Sequence, residues 1–241
     1  MSHSLFISDL HLSPDHPQST ELFLRFATGI AHEAEALYIL GDLFEYWAGD
    51  DDLNDPFHRR ITDALRGLDA RGTHIYIMHG NRDFLMDAEL GAACHATLLN
   101  DPTLLDLYGT PTLLTHGDAL CTDDTEYQRF REQVRKDDWQ ARFLAQPLAQ
   151  RKAQIEQMRM QSKNEKRLKA MDIMDVNVAA VDNLLREHRY PRVIHGHTHR
   201  PAKHLHHPDG HTCERWVLGD WDSGKAAILR GDAHGLEWMN I

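Results

Sequence analysis

Four short polar clusters, each closing an apolar run, constrain this chain more than any other feature: Asp9-Leu10-His11, Gly41-Asp42, Gly80-Asn81-Arg82-Asp83 and His195-Gly196-His197-Thr198-His199. A fifth, His116-Gly117-Asp118, follows the same rule. The runs before them are Leu5-Phe6-Ile7, Leu37-Tyr38-Ile39-Leu40, Ile75-Tyr76-Ile77-Met78, Leu113-Leu114-Thr115 and Val193-Ile194. Trp216-Val217-Leu218 and Ala226-Ala227-Ile228-Leu229 follow later in the chain. Apolar runs of this length, rich in β-branched residues, read as buried strands. Polar residues gathered just beyond strands are where open α/β sheets build their sites.

Helical spacing fills the intervals. Leu22, Phe23, Phe26 and Ile30 recur behind the expected cap Thr20, and Asp55-Pro56 opens a second helix through Ile61, Leu65 and Leu68 that Gly72 closes. Alternating strand and helix give the α/β class. With 241 residues, 41% of them hydrophobic, the chain can fill one large domain or a core carrying an insertion. Residues 127–170 break the alternation. They are long, basic and helical, with Tyr127, Phe130, Val134, Phe143 and Leu144 before Pro147 and Leu148, Ile155 and Met158 after it. The expected organisation is a core of residues 1–126 and 171–241, with 127–170 inserted as a helical hairpin that serves as a lid. His204-Leu205-His206-His207 and His211 read as a solvent-exposed, His-rich turn.

Charge is uneven. Residues 127–170 hold 12 of the 26 Lys and Arg but 5 of the 37 Asp and Glu, so this segment is +7 while the remainder is −18. An acidic body with one basic flap suits an enzyme acting on a small polyanion, whereas a body of −18 repels a nucleic-acid duplex. Cys94, Cys121 and Cys213 form no close pair, which points away from a disulfide framework and toward a reducing compartment. No run approaches a membrane span, so any membrane contact is expected to be peripheral.

Oxygen and imidazole ligands without paired thiolates suit hard or borderline divalent cations such as manganese. Asp9 and His11, one residue apart on an extended strand exit, are expected to face one way and share metal one. Asp42 offers two oxygens that can bridge cations about 3.5–4 Å apart. Asn81 supplies a neutral carbonyl to metal two, with Gly80 permitting a tight or positive-φ turn that aims the amide inward. Alternation about Gly196 lets one imidazole reach each metal, so His116 and His195 are assigned to metal two and His197 to metal one. The chemistry this set supports is metal-assisted hydrolysis of a phosphate ester or anhydride.

In order and type, Asp9, His11, Asp42, Asn81, His116, His195 and His197 resemble the calcineurin-like metallophosphoesterases. That resemblance implies a layered sandwich of mixed β-sheets flanked by helices. A closer likeness, on Leu40-Gly41-Asp42-Leu43-Phe44-Glu45, His79 to Leu85, His116 to Asp124, Met174-Asp175-Val176-Asn177 and His195 to Pro201, is to the branch that cleaves a UDP-linked diacylglucosamine lipid in lipid A biosynthesis. It implies two-metal activation of water, attack on the α-phosphorus, and release of UMP and 2,3-diacylglucosamine 1-phosphate. The residues alone do not choose between the two phosphorus atoms. The implied catalytic set is Asp9, His11, Asp42, Asn81, Arg82, His116, His195 and His197. The implied substrate contacts are Asn81, Arg82, Asp124, Ser162, Lys166, Lys169 and His195.

Most members of the superfamily carry Gly-Asn-His where this chain has Gly80-Asn81-Arg82. An arginine, with a pKa above about 12, delivers no proton to a leaving group, but its planar fork holds phosphate oxygens in pairs. A phosphate leaving group needs no general acid, so Arg82 favours pyrophosphate cleavage. Lys163, Lys166, Arg167 and Lys169, beside Ser162 and Asn164, are expected to present donors to the diphosphate and hexosamine. The apolar residues of 127–158 are expected to line an acyl slot. The reading therefore places a peripheral enzyme on the cytoplasmic face of the inner membrane, with no nucleic-acid ligand and no obligate protein partner. The alternative is a nuclease or nucleotide phosphodiesterase of the same superfamily.

Overall fold

The computed structural model describes residues 2–166, 175–221 and 226–240, of which 161–166 by backbone alone. The chain runs β1 (Ser4–Ile7), α1 (Pro17–Thr28), β2 (Ala36–Leu40), α2 (Pro56–Asp69), β3 (His74–Met78), α3 (Ala88–Cys94) and β4 (Ala96–Leu99). It continues through β5 (Thr103–Leu107), β6 (Thr110–Thr115), α4 (Thr125–Val134), α5 (Asp137–Leu144), α6 (Leu148–Lys166) and α7 (Val178–Glu187). The last strands are β7 (Arg192–His195), β8 (Ala202–His206), β9 (Cys213–Val217), β10 (Ala227–Asp232) and β11 (Gly235–Asn240).

One sheet has the order β11-β10-β1-β2-β3-β4 and the other β5-β6-β7-β9-β8. Strands β1 to β4 are mutually parallel, as are β6, β7 and β9, while β5, β8, β10 and β11 pair antiparallel at the edges. Period-two alternation sorts the side chains into layers. Phe6, Leu40 and Met78 of the first sheet meet Leu114, Ile194 and Trp216 of the second. Leu5, Ile7, Leu37, Ile39, Ile75 and Ile77 point the other way, onto Phe23 and Phe26 of α1 and Ile61 and Leu65 of α2. Val181 and Leu185 of α7 cover the far face of the second sheet at Leu113 and Val193. The result is a helix–sheet–sheet–helix sandwich, the layered α/β architecture expected, and strands buried on both faces explain why the runs read as continuous apolar stretches.

Several local expectations need correction. α1 begins at Pro17, whose fixed φ suits a first helical position, and Thr20 lies inside the first turn, its hydroxyl donating to the His16 carbonyl at 3.1 Å. The His-rich turn is strand β8, paired along β9 from Ala202 to His206, with His206 buried. β4, β5 and β11 were likewise not anticipated. α2 is as read, with the Asp55 carboxylate accepting from Phe57 N at 2.9 Å.

Residues 125–166 form three helices, breaking near Lys136 and at Pro147. They are tied to the core rather than freestanding. Phe143 is buried and stacks on Trp139, which abuts Phe84. Arg151, also buried, donates to the Ala48 carbonyl at 2.6 Å and pairs with Asp51, while Lys152 reaches Asp52 at 2.7 Å. Much of the basic charge of this segment is thus spent on the acidic turn Asp50–Asp52 and neighbouring carboxylates.

Candidate metal centre

The loops after β1, β2, β3, β6 and β7 converge at one edge of the sandwich. Asp9 N donates to Gly41 O at 3.1 Å, His11 N to Asp42 O at 3.0 Å, and Gly196 N to His116 O at 3.0 Å. Close approach is possible because two residues lack a side chain: a Cβ on Gly80 would fall 2.0 Å from Asp42 Oδ1, and one on Gly196 would fall 2.3 Å from Ser8 Oγ. Of the tight or positive-φ turn expected at Gly80, the positive φ is not found, and Gly80 serves by absence of bulk. Asp9, His11, Asp42, His197 and His199 all sit at positive φ, between 49° and 69°. The extended exit expected for Asp9 and His11 is instead a pair of left-handed residues, a costly conformation that persists only where surroundings impose it.

Two groups of donors result. Asp9, His11 and His199 form one: His199 Nε2 lies 3.3 Å from Asp9 Oδ1 and 3.5 Å from His11 Nε2. Asn81, His116 and His197 form the other, with Asn81 Oδ1 at 3.0 Å from His116 Nε2 and 2.8 Å from His197 Nδ1. Asp42 stands between them, Oδ1 3.9 Å from His116 Nε2 and Oδ2 3.9 Å from His11 Nδ1. The ligand atoms of Asp9, Asp42 and His116 fall within 4.8 Å of one another.

His195 is the residue that does not fit. It ends β7 with its ring turned into the second sheet, where Nδ1 meets Gly196 O at 2.8 Å and Nε2 accepts from the Arg215 guanidinium at 2.9 Å. Neither nitrogen is available to a cation. Its assignment to metal two is corrected, as is that of His197 to metal one: His197 lies with Asn81 and His116, and the unassigned His199 takes the place beside Asp9 and His11.

The chemistry of the donors fits divalent cations. Asp9 Oδ1 is buried with no hydrogen-bond partner. Burial works against protonating His116, yet the carboxylates of Asp42, Asp9 and Asp118 raise its pKa to about 9. Burial likewise opposes protonation of His199, and its contacts to Asp220 and Asp9 raise it to about 10. Carboxylates that draw protons onto buried imidazoles mark a place where positive charge is needed. Outer contacts aim the rings: His116 Nδ1 donates to Leu40 O at 2.8 Å, and His199 Nδ1 lies 3.3 Å from Asp220.

Sequence reasoning missed four contributors. Glu45 lies 3.3 Å from His11 Nδ1 and accepts from Arg82 at 2.9 Å and from Arg159 of α6 at 2.5 Å. Burial opposes its ionisation, but His11, Arg82 and Arg159 hold its pKa down to about 2. Asp83, fully buried, accepts from the backbone of Gly80, Asp42, Leu43 and Phe44. Asp118 accepts from Tyr127 Oη at 2.6 Å and from Arg131 Nε at 2.8 Å. Tyr127 itself stacks on His197, so it belongs to the centre and not to an acyl slot. Phe143, Ile155 and Met158 pack on the core, leaving Phe130 and Leu144 exposed.

Arg82 stands at the rim, its backbone N donating to Asp42 Oδ1 at 2.8 Å. Asp124 caps α4 through Tyr127 N at 3.1 Å. Ser162, Lys163, Asn164 and Lys166 lie on α6, described by backbone alone; Arg167, Lys169, the 170/171 boundary and Met174 lie outside the described residues.

The calcineurin-like phosphoesterase family model matches residues 3–201. The chain belongs to this family. Among its members, this phosphoesterase is similar to proteins named UDP-2,3-diacylglucosamine hydrolase. It is 53% identical to that of Aromatoleum aromaticum, over 96% of this chain and 94% of the relative. It is 49% identical to that of Cellvibrio japonicus, over 98% of each, and 48% identical to that of Pseudomonas aeruginosa, over 96% and 95%. This phosphoesterase is a metal-binding hydrolase.

Proposed function

We propose that this phosphoesterase hydrolyses the pyrophosphate of UDP-2,3-diacylglucosamine to 2,3-diacylglucosamine 1-phosphate and UMP, as a step of lipid A biosynthesis, with manganese at both cation positions. The relatives' names supply the substrate class, and one geometric observation carries the reaction type. The position beside the bridging Asp42 that could hold a general acid is filled by Arg82, whose guanidinium stands over Glu45 at 2.9 Å. A fixed cation there binds diphosphate oxygens and stabilises the negative charge that grows on them, and a phosphate leaving group departs without a donated proton.

Asp9, His11 and His199 would hold one cation and Asn81, His116 and His197 the other, with Asp42 shared. Two divalent cations so held supply a water acidic enough to attack phosphorus at neutral pH and offset the charge that develops. Arg82, and Arg159 from α6, rest on Glu45 and are placed to turn toward a diphosphate entering between helix and sheet. Asn81, Asp124, Ser162, Lys166 and Lys169 are assigned to the glucosamine and its phosphate, residues 127–170 acting as a lid. His195, spoken for by Arg215, is left out of that set.

Exposed Phe130 and Leu144 stand on the same helices, α4 and α5, as exposed Arg129 and Arg142, with exposed Lys136 between those helices, which supports peripheral docking on the anionic cytoplasmic face of the inner membrane. At roughly 1 kcal/mol per basic residue near headgroups, vesicles rich in phosphatidylglycerol should bind the protein at low salt and release it at high salt. No helix among the described residues is long and apolar enough to cross a membrane.

The test of function is turnover of UDP-diacylglucosamine, bis-p-nitrophenyl phosphate and single-stranded DNA by the manganese-loaded protein. Strong preference for the lipid is expected, and preference for DNA would overturn the proposal in favour of a nuclease. Arg82→Ala should impair turnover far more than metal content; equal loss of both would show that Arg82 holds the centre together and not the substrate.

A further inference from the structure

Away from the metal centre, the buried guanidinium of Arg215 has no counter-ion among the described residues. Arg215 of β9 is 6% exposed. Its Nε donates to His206 Nε2 at 3.0 Å and one terminal nitrogen donates to His195 Nε2 at 2.9 Å. An imidazole nitrogen that accepts a hydrogen bond carries no proton, so these partners orient the guanidinium without balancing it. The acids around it are engaged elsewhere: Asp182 lies 3.1 Å from His206 Nδ1, and Asp175 pairs with Arg200 at 2.5 Å. No carboxylate among the described residues forms an ion pair with Arg215. Buried guanidinium groups are ordinarily paired, because an ion removed from water without a partner is strongly disfavoured.

The same side chain lines a cleft of about 220 Å³ together with Thr198, Arg200, Ala202 and His204. Among the described residues, the hydrogen bonds of Arg215 use Nε and one terminal nitrogen, and none uses the second. The Thr198 hydroxyl is buried and has no partner either. Arg215 and Thr198 both line this one small cleft, and an acceptor-only anion with several oxygens would meet the guanidinium and the hydroxyl together.

We propose that this cleft is a second anion site, distinct from the metal centre, which takes a tetrahedral oxyanion of the phosphate class. Arg215 and Thr198 hold it, and Arg200 and His204 stand at its mouth. Asp175 is the one negative group on the lining, and its pairing with Arg200 keeps it from repelling the guest. The volume accommodates a phosphate group, and Arg215 and Thr198 would engage a nucleotide through its phosphate. Thr198 lies between His197 and His199, and occupancy therefore braces the loop that carries two of the centre's imidazoles.

Calorimetric titration of the chelator-treated full chain with inorganic phosphate tests the site, with UMP as a second arm. Ala202→Glu sets a carboxylate on the lining from a position on β8 whose strand partner is Val217. The wild-type chain should bind inorganic phosphate saturably, and Ala202→Glu should weaken that binding by at least about tenfold, the loss expected when a charge-assisted hydrogen bond meets repulsion. Thr198→Val should weaken it too, with an unchanged circular dichroism spectrum. Equal sensitivity of UMP to Ala202→Glu assigns a phosphate monoester as guest, and sensitivity of inorganic phosphate alone assigns the free ion. Binding that is indifferent to Ala202→Glu, or no saturable binding at all, would overturn the proposal; Arg215→Gln is a supplementary variant because it also removes the support of His195.

Discussion

Asp83 offers the sharpest test of how this centre is built. It is fully buried, and its carboxylate accepts four backbone N–H groups: Gly80 at 2.8 Å and Asp42 at 3.3 Å on Oδ1, Leu43 at 2.7 Å and Phe44 at 3.3 Å on Oδ2. Burial and the nearby Asp42 push its pKa upward, yet four donors and no acceptor give a proton nothing to bond, so the group works as an anion. Asp83→Asn keeps the shape and removes the acceptor capacity of one oxygen. Two backbone donors then face an amide NH₂, and each buried donor left unmet costs about 1–3 kcal/mol. Relief of repulsion with Asp42 offsets part of that. The expected net loss is about 2–4 kcal/mol, a large share of a typical stability of about 5–15 kcal/mol. Urea unfolding should be followed in chelator, so that loss of bound metal does not add to the shift. With a slope near 3 kcal/mol/M, the midpoint should fall by about 1 M. A fall smaller than about 0.3 M at unchanged slope would refute the reasoning, because it would mean that the four N–H groups find other acceptors and that Asp83 does not hold the Asp42 loop.

Three further outcomes follow from the geometry. Glu45→Ala should weaken metal binding about 10–100-fold, the usual effect of deleting a carboxylate behind a ligating histidine, and an unchanged metal titration would exclude that role. His199→Ala should lower the metal stoichiometry measured by mass spectrometry while His195→Ala leaves it intact; the reverse pattern would restore the assignment made from sequence. Burial pushes the Cys94 thiol up to about 12, so little thiolate exists at pH 8 and a disulfide reagent should label Cys94 only after unfolding. Rapid labelling of the native protein at Cys94 would contradict the packing around α3.

The convergence of the strand-end clusters was legible because their chemistry is local. A buried parallel strand announces itself by an unbroken apolar run, and a polar cluster straight after it has few structural uses. The histidines of 195–199 show where that logic stops. Three imidazoles at alternate positions share one face of an extended chain, so spacing alone cannot say which two reach the metals. A partner twenty residues away decides it: Arg215 on the neighbouring strand claims His195, and positive φ at His197 and His199 turns those rings to the centre. The edge strands β4, β5, β8 and β11 escaped notice for a related reason, since strands with one solvated face, such as His204-Leu205-His206, carry the polar composition of turns. The basic charge of 127–170 was counted correctly, but its destination was not visible. Arg131, Arg151, Lys152 and Arg159 find Asp118, Asp51, Asp52 and Glu45 only once the helices have docked.

That docking bears on how the centre is kept in its strained form. Five ligand residues in the left-handed region, each costing of order 1–3 kcal/mol, would relax if their loops were free. They are instead cross-tied. Asp83 fastens the β2 and β3 loops, the Asp9 and His197 loops join through His197 N to Asp9 Oδ2 at 2.8 Å, and Trp221 N reaches Asp9 O at 3.3 Å. The remaining open side, at His11 and Asp42, is closed by Glu45, whose carboxylate is shared between the His11 imidazole and the Arg159 guanidinium from α6. The same residue thus touches the metal ligand His11, the rim residue Arg82 and the helix over the entrance. On the proposed reaction, a diphosphate that drew Arg82 and Arg159 off Glu45 would return a full negative charge to the back of His11 and so strengthen that imidazole as a ligand.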